Sequence, residues 1–268
     1  MPLFVAVLLG VVEGLTEYLP VSSTGHLVLV GHWLGLRDDD PATSSFEIVI
    51  QLGAILAVLA HYRSLLLERV RGLFARDPAS WRLLGALVTA FVPTAIAGLV
   101  LRKTIKAHLF GPKPVAGALV VGGLAMIVVE RARRGTHGED GLERVSTSRA
   151  LAIGLGQCLS LWPGASRAMC TIVAGQLSGL STATAAEFSF LLALPTLGAA
   201  TIYEGFKGRH ALGASVGSAS VAAGMLVSFV VAWAVIASFL RYLRSRGLEP
   251  FGWYRVVLGG LVLWALRG

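Results

Sequence analysis

The chain has 268 residues, of which 55% are hydrophobic and 14% charged, and its mean hydropathy is +0.72. A soluble domain carries about 25% charged residues, so this composition excludes one and defines an integral membrane protein. The formal net charge of +8 does not call for nucleic acid, because the basic residues cluster between apolar stretches, where they set orientation; an anionic substrate or lipid headgroup is compatible with it. Cys158 and Cys170 lie in apolar surroundings and read as small packing residues, with no disulfide framework. The N-terminal apolar stretch lacks a basic n-region, so no cleavable signal peptide is expected.

In chain order, residues 3–18 read as a helix that stops at Pro20, and residues 26–35 as a second short helix. At about 1.5 Å per residue neither crosses a ~30 Å hydrocarbon core comfortably. The pair is expected to be a re-entrant hairpin broken at PVSSTG, followed by an acidic loop over 37–45. Spans are expected at 46–62, 83–101 (kinked at Pro93) and 114–130, with a basic loop at 63–82 and a shorter polar loop at 102–113. Residues 131–149 are polar and net basic, and read as a mid-chain linker. The second half repeats the plan: short helices at 150–161 and 169–180 flank PGASR, and spans follow near 182–205, 213–240 and 250–267.

The expected fold is an all-α integral membrane protein forming a single membrane domain over 1–268. Residues 1–130 and 150–268 are its two halves, each a re-entrant hairpin plus three transmembrane helices, and 131–149 is a cytoplasmic linker. Because three is odd, the second hairpin must enter from the opposite face, which is the plan of an inverted-topology repeat. Placing the basic segments 63–82, 131–149 and 241–249 in the cytoplasm puts both termini and 37–45 outside. The basic segment Arg102–Lys113 is the one violation.

The chemistry concentrates in Gly10–His26, GVVEGLTEYLPVSSTGH. Glu13 and Glu17 are four residues apart and share a helix face. An ionised carboxylate at mid-membrane costs about 2.5–3.5 kcal/mol on insertion scales, so the pair needs a cation, a metal, water or shared protons. Ser22, Ser23 and Thr24 precede one restarting helix and Ser166 precedes another, so each is an N-cap candidate. Two helix starts meeting at mid-depth would form an anion cradle, and Arg167 adds a fork that grips phosphate oxygens bidentately. His26 can exchange a proton near neutral pH. Ser23, three residues before His26, reads as a nucleophile with His26 accepting its proton; the competing mechanism has His26 or a glutamate activating water. The plainer readings are helix caps for the hydroxyls, a bundle contact for the glutamates, and a counter-ion role for Arg167. No G-x-S-x-G elbow, P-loop or zinc spacing is present.

GVVEGLTEYLPVSSTGH resembles the first signature of the BacA/UppP family, the undecaprenyl-diphosphate phosphatases of bacterial membranes, and PGASRAMCTI resembles the second. SFEIVIQLGAILAVL and EFSFLLALPTLGAA are similar to further family segments, so the likeness covers nearly the whole chain. The resemblance implies hydrolysis of a C55 polyprenyl diphosphate to the monophosphate and phosphate, recycling the carrier lipid of wall synthesis. It also implies a multi-pass protein of the bacterial cytoplasmic (inner) membrane, a site open to its outer face, and dependence on a divalent cation, Mg²⁺ or Ca²⁺. By position, the family's paired glutamates fall on Glu13 and Glu17, its serine-threonine run on Ser22, Ser23 and Thr24, its histidine on His26, and its loop Ser-Arg on Ser166 and Arg167. The candidate catalytic residues are thus Glu13, Glu17, Ser23, His26 and Arg167, the candidate phosphate contacts Ser22, Thr24, Ser166 and Arg167, and the candidate metal ligands Glu13 and Glu17. The family loop usually continues Ser-Arg-Ser-Gly, whereas Ala168 and Met169 follow Arg167 here. The expected partners are the polyprenyl diphosphate and membrane lipid, and a homodimer is compatible with the sequence. The alternative function is a polyprenyl-phosphate flippase or transporter using the same anion site, since broken helices are also transporter hardware.

Overall fold

The computed structural model describes residues 1–36, 40–109, 111–136 and 138–266, with the side chains at 41, 102, 106, 200 and 203–215 outside that description. Asp38 and Asp39 of the expected 37–45 loop therefore fall outside the described residues, whereas Asp40 caps the helix that begins at Pro41, accepting from the Ala42 and Thr43 amides at 3.2 and 3.1 Å. Eleven α-helices account for most of the rest: α1 Leu3–Thr16, α2 Ser23–Trp33, α3 Pro41–His61, α4 Arg63–Phe74, α5 Pro78–His108, α6 Pro112–Ala132, α7 Thr147–Cys158, α8 Arg167–Leu177, α9 Thr182–Ser215, α10 Ser218–Leu243 and α11 Glu249–Ala265. No strand forms among the described residues. The helices α3, α5, α6 and α10 are long and apolar enough to cross a membrane.

The expected basic loop at 63–82 is instead helical. Its apolar residues recur at helical spacing, and Leu65 and Leu66 pack on the core while Arg63, Arg71 and Arg76 face outward and the half-buried Arg69 lies 3.7 Å from Asp77. Asp77 then caps α5, accepting from the Ala79 and Ser80 amides at 3.3 and 2.9 Å. The expected 102–113 loop shrinks as well, because α5 runs on to His108. The linker is ordered: Glu139 N–H donates to Gly179 O at 2.9 Å, and Ser181 N–H to Glu139 O at 3.0 Å. Arg149 forks onto the Glu139 carboxylate and holds that carboxyl below the usual carboxylate range.

Outward-facing apolar side chains are numerous, among them Leu99, Val100, Val128, Leu226 and Val257. In water such a surface would aggregate; here it fits lipid. Trp233 lies mid-way along α10, whereas four other exposed tryptophans lie near helix ends, Trp33 and Trp264 at the last turns of α2 and α11, Trp81 and Trp253 at the first turns of α5 and α11. That is where amphipathic rings mark the two membrane interfaces.

Helix packing relies on small residues. A Cβ at Gly10 of α1 would stand 2.5 Å from the Gly224 carbonyl oxygen of α10, and one at Gly154 of α7 would stand 2.5 Å from Ala90 O of α5. Such close approach is how helices associate where lipid removes the hydrophobic drive. The ends of α1 and α2 gather with those of α9 and α10: Val5, Ala42 and Val216 share one apolar cluster, and the Met1 amine donates to Val216 O at 3.3 Å. The ends of α7 and α8 gather with the linker instead, Arg149 Nε donating to Ser178 O at 3.0 Å. Where α1 gives way to α2, and α7 to α8, the two chain breaks face each other inside the bundle.

Candidate active site

Each break ends on a serine that caps the next helix from an unusual backbone conformation. Ser22 has φ 76° and accepts from Gly25 N–H at 3.3 Å; Ser166 has φ 72° and accepts from Met169 N–H at 3.2 Å. A non-glycine residue in this region costs of order 1–3 kcal/mol and persists only where the surroundings over-determine it. The caps make Ser23 and Arg167 the first residues of α2 and α8, and these two side chains meet on Glu17. Ser23 Oγ donates to Glu17 Oε2 at 2.6 Å, and Arg167 Nη2 donates to Glu17 Oε1 at 3.1 Å. One buried carboxylate thus bridges a hydroxyl from the first break and a guanidinium from the second.

Arg167 is further held by Ser189, its Nη1 donating to the backbone oxygen at 2.9 Å and to Oγ at 3.3 Å. Thr171 Oγ1 and Ser189 Oγ are 2.6 Å apart, and the guanidinium lies 5.7 Å from the Tyr18 ring centroid. Its Nε is buried without a partner. A cavity of about 200 Å³ opens beside this group, lined by Glu17, Ser22, Ser23, Thr24, Ser166 and Arg167, with Gln51, Thr94 and Thr196 on its far wall. Gln157 braces that wall, its Nε2 donating to Thr94 Oγ1 at 3.0 Å.

The expected hydroxyl, arginine and Glu17 positions are therefore brought together. Glu13 and His26 make no hydrogen bond to the Ser23, Glu17 and Arg167 side chains. Glu13 is 1% exposed and both its carboxylate oxygens lack a hydrogen-bond partner. His26 faces α11: its Nδ1 is 2.7 Å from Ser22 O and its Nε2 2.6 Å from the Tyr254 hydroxyl, with the two rings stacked at 5.7 Å. Ser22 O can only accept, so Nδ1 carries the proton and Nε2 accepts from Tyr254. The group in contact with Ser23 is Glu17, and the expected Ser23–His26 pair is not formed. Ala168 and Met169 are buried in the core, off the cavity wall, so the departure from the family's Ser-Gly costs no contact there.

Sequence reasoning passed over Arg255, Tyr254 and Ser189. Arg255 carried a readable signal, a charge inside the apolar stretch WYRVVLGGLV; Ser189 carried none. No group of three or more His, Cys, Asp or Glu side chains suited to a metal occurs among the described residues. The unpartnered Glu13 carboxylate beside Glu17 nonetheless suits a hard cation, which commonly binds one or two carboxylates and completes its shell with substrate phosphate oxygens.

Buried helix starts, a lone guanidinium donor and a hydroxyl paired with a carboxylate, all inside an apolar helical bundle, define a membrane-embedded hydrolase acting on an anionic group. A family model described as bacitracin resistance protein BacA matches residues 6–261, and the chain belongs to that family. It is 61% identical over 264 residues to the undecaprenyl-diphosphatase of Sorangium cellulosum, covering 97% of this chain and 85% of that one. It is 45% identical over 258 residues to undecaprenyl-diphosphatase 2 of Rhodospirillum rubrum, covering 96% and 93%. The undecaprenyl-diphosphatase of Deinococcus radiodurans is 45% identical over 256 residues, covering 95% and 92%.

Proposed function

We propose that this protein is an undecaprenyl-diphosphatase, cleaving undecaprenyl diphosphate to undecaprenyl phosphate and inorganic phosphate and so returning a carrier lipid to wall synthesis. The observation that carries the reading is the Glu17 carboxylate held between Ser23 and Arg167. The terminal phosphoryl group enters the cavity between the two helix starts, where Arg167 Nε and the hydroxyls of Ser22, Thr24 and Ser166 meet its oxygens. Ser23 Oγ attacks the terminal phosphorus as its proton passes to Glu17, and the bridging P–O bond breaks to release the lipid monophosphate. Glu17 passes that proton to the departing lipid phosphate oxygen and is a carboxylate again. Water then attacks the phosphoserine, giving a proton to Glu17, which hands it to the leaving Ser23 oxygen to regenerate the hydroxyl and release inorganic phosphate. Positioning and charge neutralisation carry most of the rate in such transfers. Glu13 and Glu17 would hold a divalent cation, Mg²⁺ or Ca²⁺, which would neutralise charge on the diphosphate. His26, bonded to Ser22 O, keeps the cap in place. A flippase would use the same cradle but has no need of a hydroxyl 2.6 Å from a carboxylate.

The reading extends to an inverted repeat. Several matched features support it: both cap serines have positive φ, and Gly10 and Gly154 each lie twelve residues before their cap serine. Each of these glycines packs against a helix of the other half. The reading also puts the protein in the bacterial cytoplasmic membrane with Met1 and the end of α2 on its outer side, an orientation that the basic segments at the opposite end support. Purified protein in detergent should release one phosphate per undecaprenyl diphosphate and stop on chelation with EDTA. Lipid movement across vesicles without phosphate release would overturn the hydrolase in favour of the flippase, and full turnover in EDTA would reject the cation.

A further inference from the structure

Among the described residues, Arg255 is the largest side chain that is wholly buried. It sits mid-way along α11, outside the cavity wall, and no carboxylate pairs with it among the described residues. A buried guanidinium is expensive unless its donors are satisfied, and here they are satisfied by backbone alone. Nη1 donates to Pro20 O at 3.0 Å. Nη2 is shared among Ala118 O at 3.1 Å, Gly164 O at 3.0 Å and Ala165 O at 3.0 Å. Nε reaches Leu119 O at 3.4 Å.

Pro20 belongs to the first break, two residues before its cap serine. Gly164 and Ala165 belong to the second, immediately before theirs. One planar fork therefore ties both breaks to each other and to α6. Because the peptide unit is planar and trans, fixing Ala165 O on Arg255 turns the Ser166 N–H the opposite way, and Ser166 lines the cavity. The strained φ of both serines needs an outside restraint of this kind. Gly122 of α6 completes the fit, since a Cβ there would run into the Arg255 Nη2 atom.

We propose that Arg255 is a positioning residue for hydrolysis: its guanidinium fixes the spacing of the two helix starts so that Ser23 and Arg167 meet on one phosphoryl group, without itself touching substrate. This rests on the diphosphatase reading and deepens it. Misplacing reacting groups by about 1 Å can cost as much as 10²-fold in rate, so the signature is a loss in kcat with KM preserved.

The test measures phosphate release from undecaprenyl diphosphate by purified wild type, Arg255→Lys and Gly122→Ala, alongside thermal melting in detergent. Lysine keeps the charge and loses the planar fork; alanine at Gly122 keeps the arginine and displaces it. The expected result for each folded variant is a kcat at least about tenfold lower with KM within about twofold of wild type. Wild-type kcat in either folded variant overturns the proposal while leaving the diphosphatase intact. Activity that falls only in step with the folded fraction assigns Arg255 to the scaffold and overturns it too, and an inactive wild type removes the function and the proposal together.

Discussion

Glu17 is the residue on which the two halves of the chain converge, and its chemistry follows from having two unlike partners. Arg167 orients the carboxylate, and Ser23 presents it with the one proton that matters. Glu17→Gln preserves shape and still accepts from Arg167, but cannot take that proton. Its turnover should fall by about 10²–10⁴ while thermal melting in detergent stays near wild type. Near-normal turnover would shift the base to Glu13 or His26. Arg167→Lys keeps charge and loses bidentate geometry, so phosphate release should drop at least about tenfold, roughly 1.4 kcal/mol of transition-state stabilisation; unchanged kinetics would make the residue a counter-ion only. The spacing of Ser23 and His26 suggested a pair on one helical turn. The structure differs because His26, in the first turn of α2, folds its ring back onto the Ser22 carbonyl and reaches Tyr254 with the other nitrogen. Ser23 meets Glu17 only because Ser22 turns the chain through a positive φ, a conformation that residue type does not announce.

At the scale of elements, the broken helices were legible because their residues contradict their surroundings: carboxylates and hydroxyls inside an apolar stretch have no inexpensive explanation except a site. The α4 helix was not, because five arginines over 63–82 outweighed the helical spacing of its leucines. The partner of each break helix was equally hidden, since long-range packing of α1 on α10 and α7 on α5 depends on shape at single glycines. Gly10→Val and Gly154→Val test that packing. Each should destabilise by about 1–3 kcal/mol through overpacking, read as a lower melting temperature in detergent. An unchanged temperature for both would mean that these helices do not approach as described.

For the whole molecule, the two sets of helix ends imply two sides. Trp33 and the start of α1 belong to one, the linker and the α10–α11 turn to the other. In a background lacking Cys158 and Cys170, a membrane-impermeant thiol reagent should label Trp33→Cys in intact cells and Glu143→Cys only after lysis; the reverse pattern would turn the protein over in the membrane. Function rests on the place where the two breaks meet. The most direct test is therefore phosphate release from undecaprenyl diphosphate by purified Ser23→Ala beside wild type, under saturating substrate. A nucleophile's removal should lower turnover by several orders of magnitude, beyond the 10²–10³ or so lost with a single hydrogen-bond donor, and substantial turnover by Ser23→Ala would contradict the account.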